Sequence, residues 1–119
     1  FIRLGFTYEA GQFMKWIRTQ FEKNIDQDTH LQLMYSIDGE SDLDEIALDH
    51  LAGYRHSQPV RIGNDAYQQL QLDIYGELMD SIYLYDKYGE PVTYDFWEKL
   101  VPQIDYVCEN WEKEDHGIW

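Results

Sequence analysis

The sequence predicts a mainly α fold in which an inner helix is followed by an outer one. Two contrasts carry that expectation. The stretch from Asn64 to Tyr88 is apolar around most of its girth, so it should be buried on several sides. The stretch after Thr93 is cleanly amphipathic and should lie outside. It sets Trp97, Leu100, Val101, Ile104, Val107, Cys108 and Trp111 against Glu98, Lys99, Gln103, Asp105, Glu109 and Glu112. An inner helix followed by an outer one is the unit of a double-ring helical barrel. With 119 residues, 44% apolar and 16% aromatic, the chain is one domain or part of one and has ample material for a packed core.

Taken in order, Thr7 is placed to cap a first helix. Its apolar positions Ala10, Phe13, Met14, Ile17 and Phe21, with Trp16 beside them, keep helical spacing to about Asn24. From Thr29 the pattern changes to alternation, with Leu31, Leu33, Tyr35 and Ile37 on one side, until Asp38-Gly39 turns the chain. The acidic stretch Glu40 to Asp49 holds Leu43, Ile46, Ala47 and Leu48, enough for a helical turn or two. Residues His50 to Gly63 carry two glycines, a proline, Tyr54, His56 and two arginines, a composition that favours irregular backbone. Asn64 then caps the longest helix, which runs to Tyr88 and stops at Gly89, with Pro91 beyond. Thr93 caps the last helix, where Pro102 is expected to kink or loosen one turn.

The stretch from Asn64 has an unusual face. At about 100° per residue, Asn64, Gln68, Gln71, Tyr75, Leu78 and Ile82 fall on one line, so amides occupy its N-terminal half and hydrocarbon its C-terminal half. Gln69, Asp73, Glu77 and Asp80 form a separate solvated strip. A buried carboxamide without a partner costs roughly 1–3 kcal/mol, so the line needs either a satisfied polar network or a wet cavity at the helix N-terminus.

Charge narrows the partners. Twenty-three acids against nine bases give −14, which repels nucleic-acid phosphates and anionic membrane surfaces and leaves neutral ligands. Between Asn24 and Asp86 there are thirteen acids and only two bases, Arg55 and Arg61, each expected to pair with a nearby carboxylate and hold its loop. Cys108 is the single cysteine and falls on the apolar face of the last helix. A disulfide within the chain is therefore excluded, which fits a reducing, cytoplasmic setting. There is no apolar run of membrane-span length and no signal-peptide layout.

No phosphate-cradling glycine loop, metal-spaced Cys or His cluster, or Ser-His-Asp order is present, so no cofactor or metal is expected. His30, His50, His56 and His116 are scattered, as surface or loop histidines are. Trp119, after Gly117-Ile118, could stack on a sugar face, although a core role is the commoner fate of tryptophan.

Three segments then point to a family. They are His50-Leu-Ala-Gly-Tyr-Arg-His-Ser-Gln-Pro-Val-Arg-Ile-Gly-Asn64, Gln69-Leu-Gln-Leu-Asp-Ile-Tyr-Gly-Glu77 and Asp115-His-Gly-Ile-Trp119. Together they closely resemble glycoside hydrolase family 15, its bacterial branch in particular, and the resemblance runs over essentially the whole chain. The family contains glucoamylases, glucodextranases and a group of trehalases. The resemblance implies a part of an (α/α)6 helical barrel, a six-hairpin toroid, with the sugar pocket at the N-terminal ends of the inner helices. It also implies that residues 1–119 are truncated at both ends of that domain. In the family the tryptophan matching Trp119 is followed directly by the general-acid glutamate, and the general base lies far downstream. The segment that clasps the terminal glucose would precede Phe1.

The functional expectation is a part of an inverting hydrolase of α-glucosides that contributes pocket wall but neither catalytic carboxylate. Tyr54, Arg61, Asn64, Gln68, Gln71, Tyr75 and Trp119 are the expected substrate-binding or pocket-bracing residues. Partners would be an α-linked glucoside and the remainder of its own barrel. An alternative is a non-catalytic domain, since the helical domain also resembles that of phosphorylase kinase regulatory subunits. A third reading is an acidic helical interaction module without sugar affinity. Because part of a ring cannot bury both sides of its inner helix, apolar residues between 70 and 83 are expected to be exposed unless something else covers them.

Overall fold

The computed structural model describes residues 1–25 and 31–117, so the residues at 29 and 30 that begin the expected alternation, and Trp119, lie outside the described residues. The fold is mainly helical and divides into two compact units, Phe1–Leu31 with Gln71–Trp119, and Gln32–Leu70.

Three helices build the first unit: α1 (Thr7–Ile25), α2 (Asp73–Tyr88) and α3 (Tyr94–Asn110). A 3-10 turn at Ile2–Leu4 precedes them. Thr7 is the first residue of α1 rather than its cap, because the Phe6 carbonyl already accepts the Ala10 N–H at 3.1 Å. Met14, Ile17 and Phe21 are buried at three- and four-residue spacing, as one helix face requires. They join Leu31, Tyr75, Ile82, Phe96 and Leu100 in one core. Phe21 and Phe96 meet with ring centroids 6.0 Å apart, and Tyr75 stacks on Tyr106 at 5.6 Å. Outside the core, Glu22 accepts from Lys99 at 2.5 Å and from Arg18 at 3.3 Å, tying α1 to α3. Those cations hold the Glu22 carboxyl below its ordinary range, the Lys99 hydrogen bond being the largest cause.

The α2–α3 connection follows its residues closely. Gly89 N–H donates to the Tyr85 carbonyl at 2.7 Å and closes α2. Its φ of −118° is open to any residue; glycine is needed because a Cβ would stand 2.9 Å from the Tyr85 ring. The Asp86 carboxylate accepts the Val92 N–H at 2.8 Å, and Thr93 Oγ1 accepts the Phe96 N–H at 3.3 Å.

Helix α3 continues through Pro102, and both Pro102 and Glu98, whose carbonyl loses its N–H partner, are exposed, so water can replace the bond. Two expectations for α3 and α2 are corrected. The buried line of α3 is Phe96, Leu100, Gln103 and Asn110, which shares Leu100 with the predicted arc, while Val101, Ile104 and Val107 of that arc are half-buried. Trp97 is 49% and Trp111 67% exposed, and Cys108 is exposed. The apolar arc is wider than the surface that α1 and α2 offer it, and Asn110 can be buried because it donates to the Tyr106 carbonyl and accepts from Lys113, three residues on. The second correction concerns the start of α2. Residues 64–72 are not its N-terminal half. Asn64 caps a separate 3-10 turn, Asp65–Gln68, Gln69 is extended at ψ 143°, and α2 begins only at Asp73. Within 70–83, Tyr75 and Ile82 are buried, Ile74, Leu78 and Met79 half-buried, and Tyr83 is 57% exposed.

The second unit is built on a two-residue antiparallel ribbon, β1 (Ile46–Ala47) against β2 (Arg61–Ile62), with Ile46 opposite Ile62 and Ala47 opposite Arg61. Leu48 N–H to the Val60 carbonyl (2.8 Å) and Asn64 N–H to the Leu43 carbonyl (2.7 Å) extend it at either end. The helical turn expected between Glu40 and Asp49 is therefore a strand. Backbone pairing with a segment some fifteen residues later outweighs weak local helicity. The segment from Leu31 to Ile37, expected to be extended, is neither helix nor paired strand among the described residues. The Asp38-Gly39 turn does form: Gly39 N–H donates to the Ser36 carbonyl at 2.9 Å, and Ser36 Oγ accepts the Glu40 N–H at 3.0 Å.

Candidate functional site

In the second unit, polar side chains gather where the ribbon ends in the 3-10 turn. Gly63 makes the bend. Its φ is +73°, and a Cβ there would collide with the carbonyls of Asp44 and Leu43, so only glycine lets the two backbones lie this close. Asn64 follows in an extended conformation and its Oδ1 accepts the Ala66 N–H at 3.0 Å. Asp65 reaches back across the ribbon to accept the Glu45 N–H at 2.8 Å. Glu45 in turn pairs with Arg61, Oε1 to Nε 3.1 Å, so Arg61 has the carboxylate partner expected of it. Arg55 differs: its guanidinium lies 5.4 Å from the centroid of the Tyr54 ring.

Tyr67 organises the rest. Its hydroxyl donates to Asp44 Oδ1 at 2.8 Å, lies 3.4 Å from Asp42 Oδ1, and accepts from Gln68 Nε2 at 3.0 Å. The Asp44 hydrogen bond, above all, pushes the phenol above its ordinary range. Beside it lies a concave surface of about 400 Å³ lined by Asp42, Leu43, Asp44, Ile46, Ile62 and Gly63. Tyr54 sits in a 3-10 turn and is 79% exposed, followed by Arg55 and His56 at φ 50° and 62°, both left-handed without being glycine.

In the first unit, Gln71 is 6% exposed and Tyr75 2% exposed. The Tyr75 hydroxyl accepts the Leu31 N–H at 3.0 Å. Just before α2, the Leu72 N–H donates to Asp115 Oδ2 at 2.9 Å, while Asp115 Oδ1 accepts the Gly117 N–H at 2.9 Å. These two backbone bonds, aided by the charge of His116, hold the Asp115 carboxyl below its ordinary range.

The predicted residues thus separate. Arg61, Asn64 and Gln68 share the ribbon end of the second unit, with Tyr54 in a neighbouring loop of the same unit, whereas Gln71 and Tyr75 belong to the head of α2 in the first. The inference of one amide line along one helix from Asn64 to Tyr75 fails, because the backbone leaves the helical conformation between them. Trp119 lies outside the described residues. Sequence reasoning passed over Tyr67, Asp42, Asp44 and Asp115, for in a chain with 23 acids no single carboxylate stands out. Exposed tyrosines and amides with carboxylate acceptors are groups that can hydrogen-bond and stack on a neutral polyhydroxylated ligand. Among the described residues, no three His, Cys, Asp or Glu side chains are grouped to hold a metal ion, and no helix is long and apolar enough to cross a membrane.

Comparison with known proteins makes the class of this mainly helical chain definite. The model of glycosyl hydrolases family 15 matches residues 1–119, and the chain belongs to that family. Among curated relatives, a trehalase of Mycobacterium tuberculosis is 42% identical over 116 residues, covering 98% of this chain and 17% of the relative. A trehalase of Thermoplasma volcanium is 38% identical over 119 residues, covering 98% of this chain and 18% of the relative. Trehalase 1 of Sulfolobus acidocaldarius is 36% identical over 117 residues, 97% of this chain and 21% of the relative. The chain therefore spans about a fifth of the length of the curated relatives it matches. No solved structure matches it.

Proposed function

We propose that the protein to which these 119 residues belong is an inverting hydrolase of α-glucosides, with trehalose as its substrate. The observation that carries this is 42% identity to a trehalase across nearly the whole chain, within a glycosyl hydrolase family. The general acid stands directly after Trp119 and the general base further downstream, so residues 1–119 supply pocket wall and are inactive alone. Tyr54 and Gln68, both exposed, bond or stack on the sugar; Arg61 and Asn64 brace the loop that carries them. Within the first unit, Gln71 contributes an amide, and Tyr75 is held in the core through its bond to Leu31. The exposed Phe1, Leu4, Tyr8, Tyr94 and Trp111 are covered by the remainder of the barrel.

In this mechanism the acid protonates the departing glycosidic oxygen while the base takes a proton from water attacking the opposite face. Inverting pairs stand about 6.5–9.5 Å apart to admit that water. Trehalose joins two α-anomeric carbons, so attack at one of them yields one β-glucose and one α-glucose. The test is proton NMR of the first products formed by the full-length protein. Equal β and α anomers are expected; two α anomers would refute inversion, and no turnover of trehalose or maltose would refute the activity.

A further inference from the structure

We propose that Asp115 is a positioning residue, its carboxylate clamping the turn at 115–117 to the head of α2 and so fixing the path of the chain toward the general acid. The role rests on the reaction proposed above, in which that acid follows Trp119. Its two oxygens divide the work: Oδ2 accepts the Leu72 N–H and Oδ1 the Gly117 N–H, each at 2.9 Å. Leu72 is the N-cap position of α2 and has no side-chain oxygen to offer the free N–H groups there. An anion from 43 residues away fills that place, at the end of the helix where negative charge is favoured. The second bond is local and bends the chain just before Gly117, whose φ of +58° completes the turn. One exposed side chain therefore joins the helix that carries Tyr75, and begins next to Gln71, to the segment that leads to Trp119.

Because Asp115 is exposed, its replacement opens no cavity; what changes is the placement of one turn relative to one helix. Misplacing a reacting group by about 1 Å costs roughly 10²-fold in rate, so an effect through geometry alone is measurable. The clamp acts on the proton donor, and its loss should therefore matter most when the leaving group needs a proton. A departing glucose needs one. Fluoride leaves from α-glucosyl fluoride as the anion, while water supplies the new C–O bond and its proton goes to the base.

The experiment compares Asp115→Ala and Asp115→Asn with wild type in the full-length enzyme, on trehalose and on α-glucosyl fluoride. Asp115→Ala should lower kcat on trehalose by about 10- to 100-fold, with KM and the rate on the fluoride within about threefold of wild type. Asparagine keeps one acceptor oxygen but puts an N–H₂ where the other acceptor stood, so it should fall between the two. Equal losses on both substrates, or none on either, would overturn the positioning role. A wild type that turns over neither substrate would remove the proposed activity and this role with it. If Asp115→Ala does not fold, Asp115→Asn alone decides, through the same ratio of the two substrates.

Discussion

Replacing Tyr75 by phenylalanine removes one oxygen and isolates one buried donor. Tyr75 is 2% and Leu31 6% exposed, and the tyrosine hydroxyl accepts the Leu31 N–H at 3.0 Å. The phenylalanine ring can keep the stacking on Tyr106, at 5.6 Å between centroids, so packing changes little. What remains is a backbone N–H deprived of this acceptor in a site closed to water, which costs roughly 1–3 kcal/mol. At about 1.36 kcal/mol per tenfold, that corresponds to a fall of roughly 5- to 150-fold in the protection of the Leu31 amide against exchange. Hydrogen exchange of wild-type and Tyr75→Phe full-length protein reads it at one residue. Protection of Leu31 that does not change would refute the bond as a support. Unchanged protection together with a lower kcat/KM on trehalose would instead move the Tyr75 hydroxyl from bracing to substrate contact.

Two further perturbations test the other parts of the site. Gly63→Ala forces a Cβ against the Asp44 and Leu43 carbonyls at a left-handed φ, and should cost at least about 1–3 kcal/mol locally. Loss of amide protection at Asn64, whose N–H bonds the Leu43 carbonyl, is the expected result; a protected Asn64 would contradict the close approach. The Asp115 carboxyl, followed by carbon NMR, should titrate below its ordinary value of 3.8 because both backbone bonds favour the anion. Since folding lowers this pKa, its stabilisation is fully present above the unfolded value and is lost as pH falls through the folded one. A midpoint at or above 3.8 would mean that the clamp is open in solution.

Elements held by bonds within one turn of chain were legible before any coordinates. The last helix begins where Thr93 can cap Phe96, α2 ends where Gly89 meets Tyr85, and Asp38-Gly39 turns because Ser36 lies three residues back. Arg61, one of two cations in an acidic stretch, announced its need for a carboxylate. The family was legible too, since its segments carry specific residues and not merely a composition.

Tertiary structure decided what depended on distant partners. A helical wheel drawn from Asn64 assumes one continuous helix, but the cap that starts α2 comes from Asp115, 43 residues onward, and the turn before it is held by Asp65 on Glu45 and Tyr67 on Asp44. The ribbon at Ile46–Ala47 exists only because Arg61–Ile62 lies against it. Likewise the line of α3 that is buried within residues 1–119, with Gln103 and Asn110 inside and Trp97 left half exposed, reflects which surface its neighbours present. Periodicity and capping act over three or four residues and are written locally; which acceptor a free N–H finds across the fold is not.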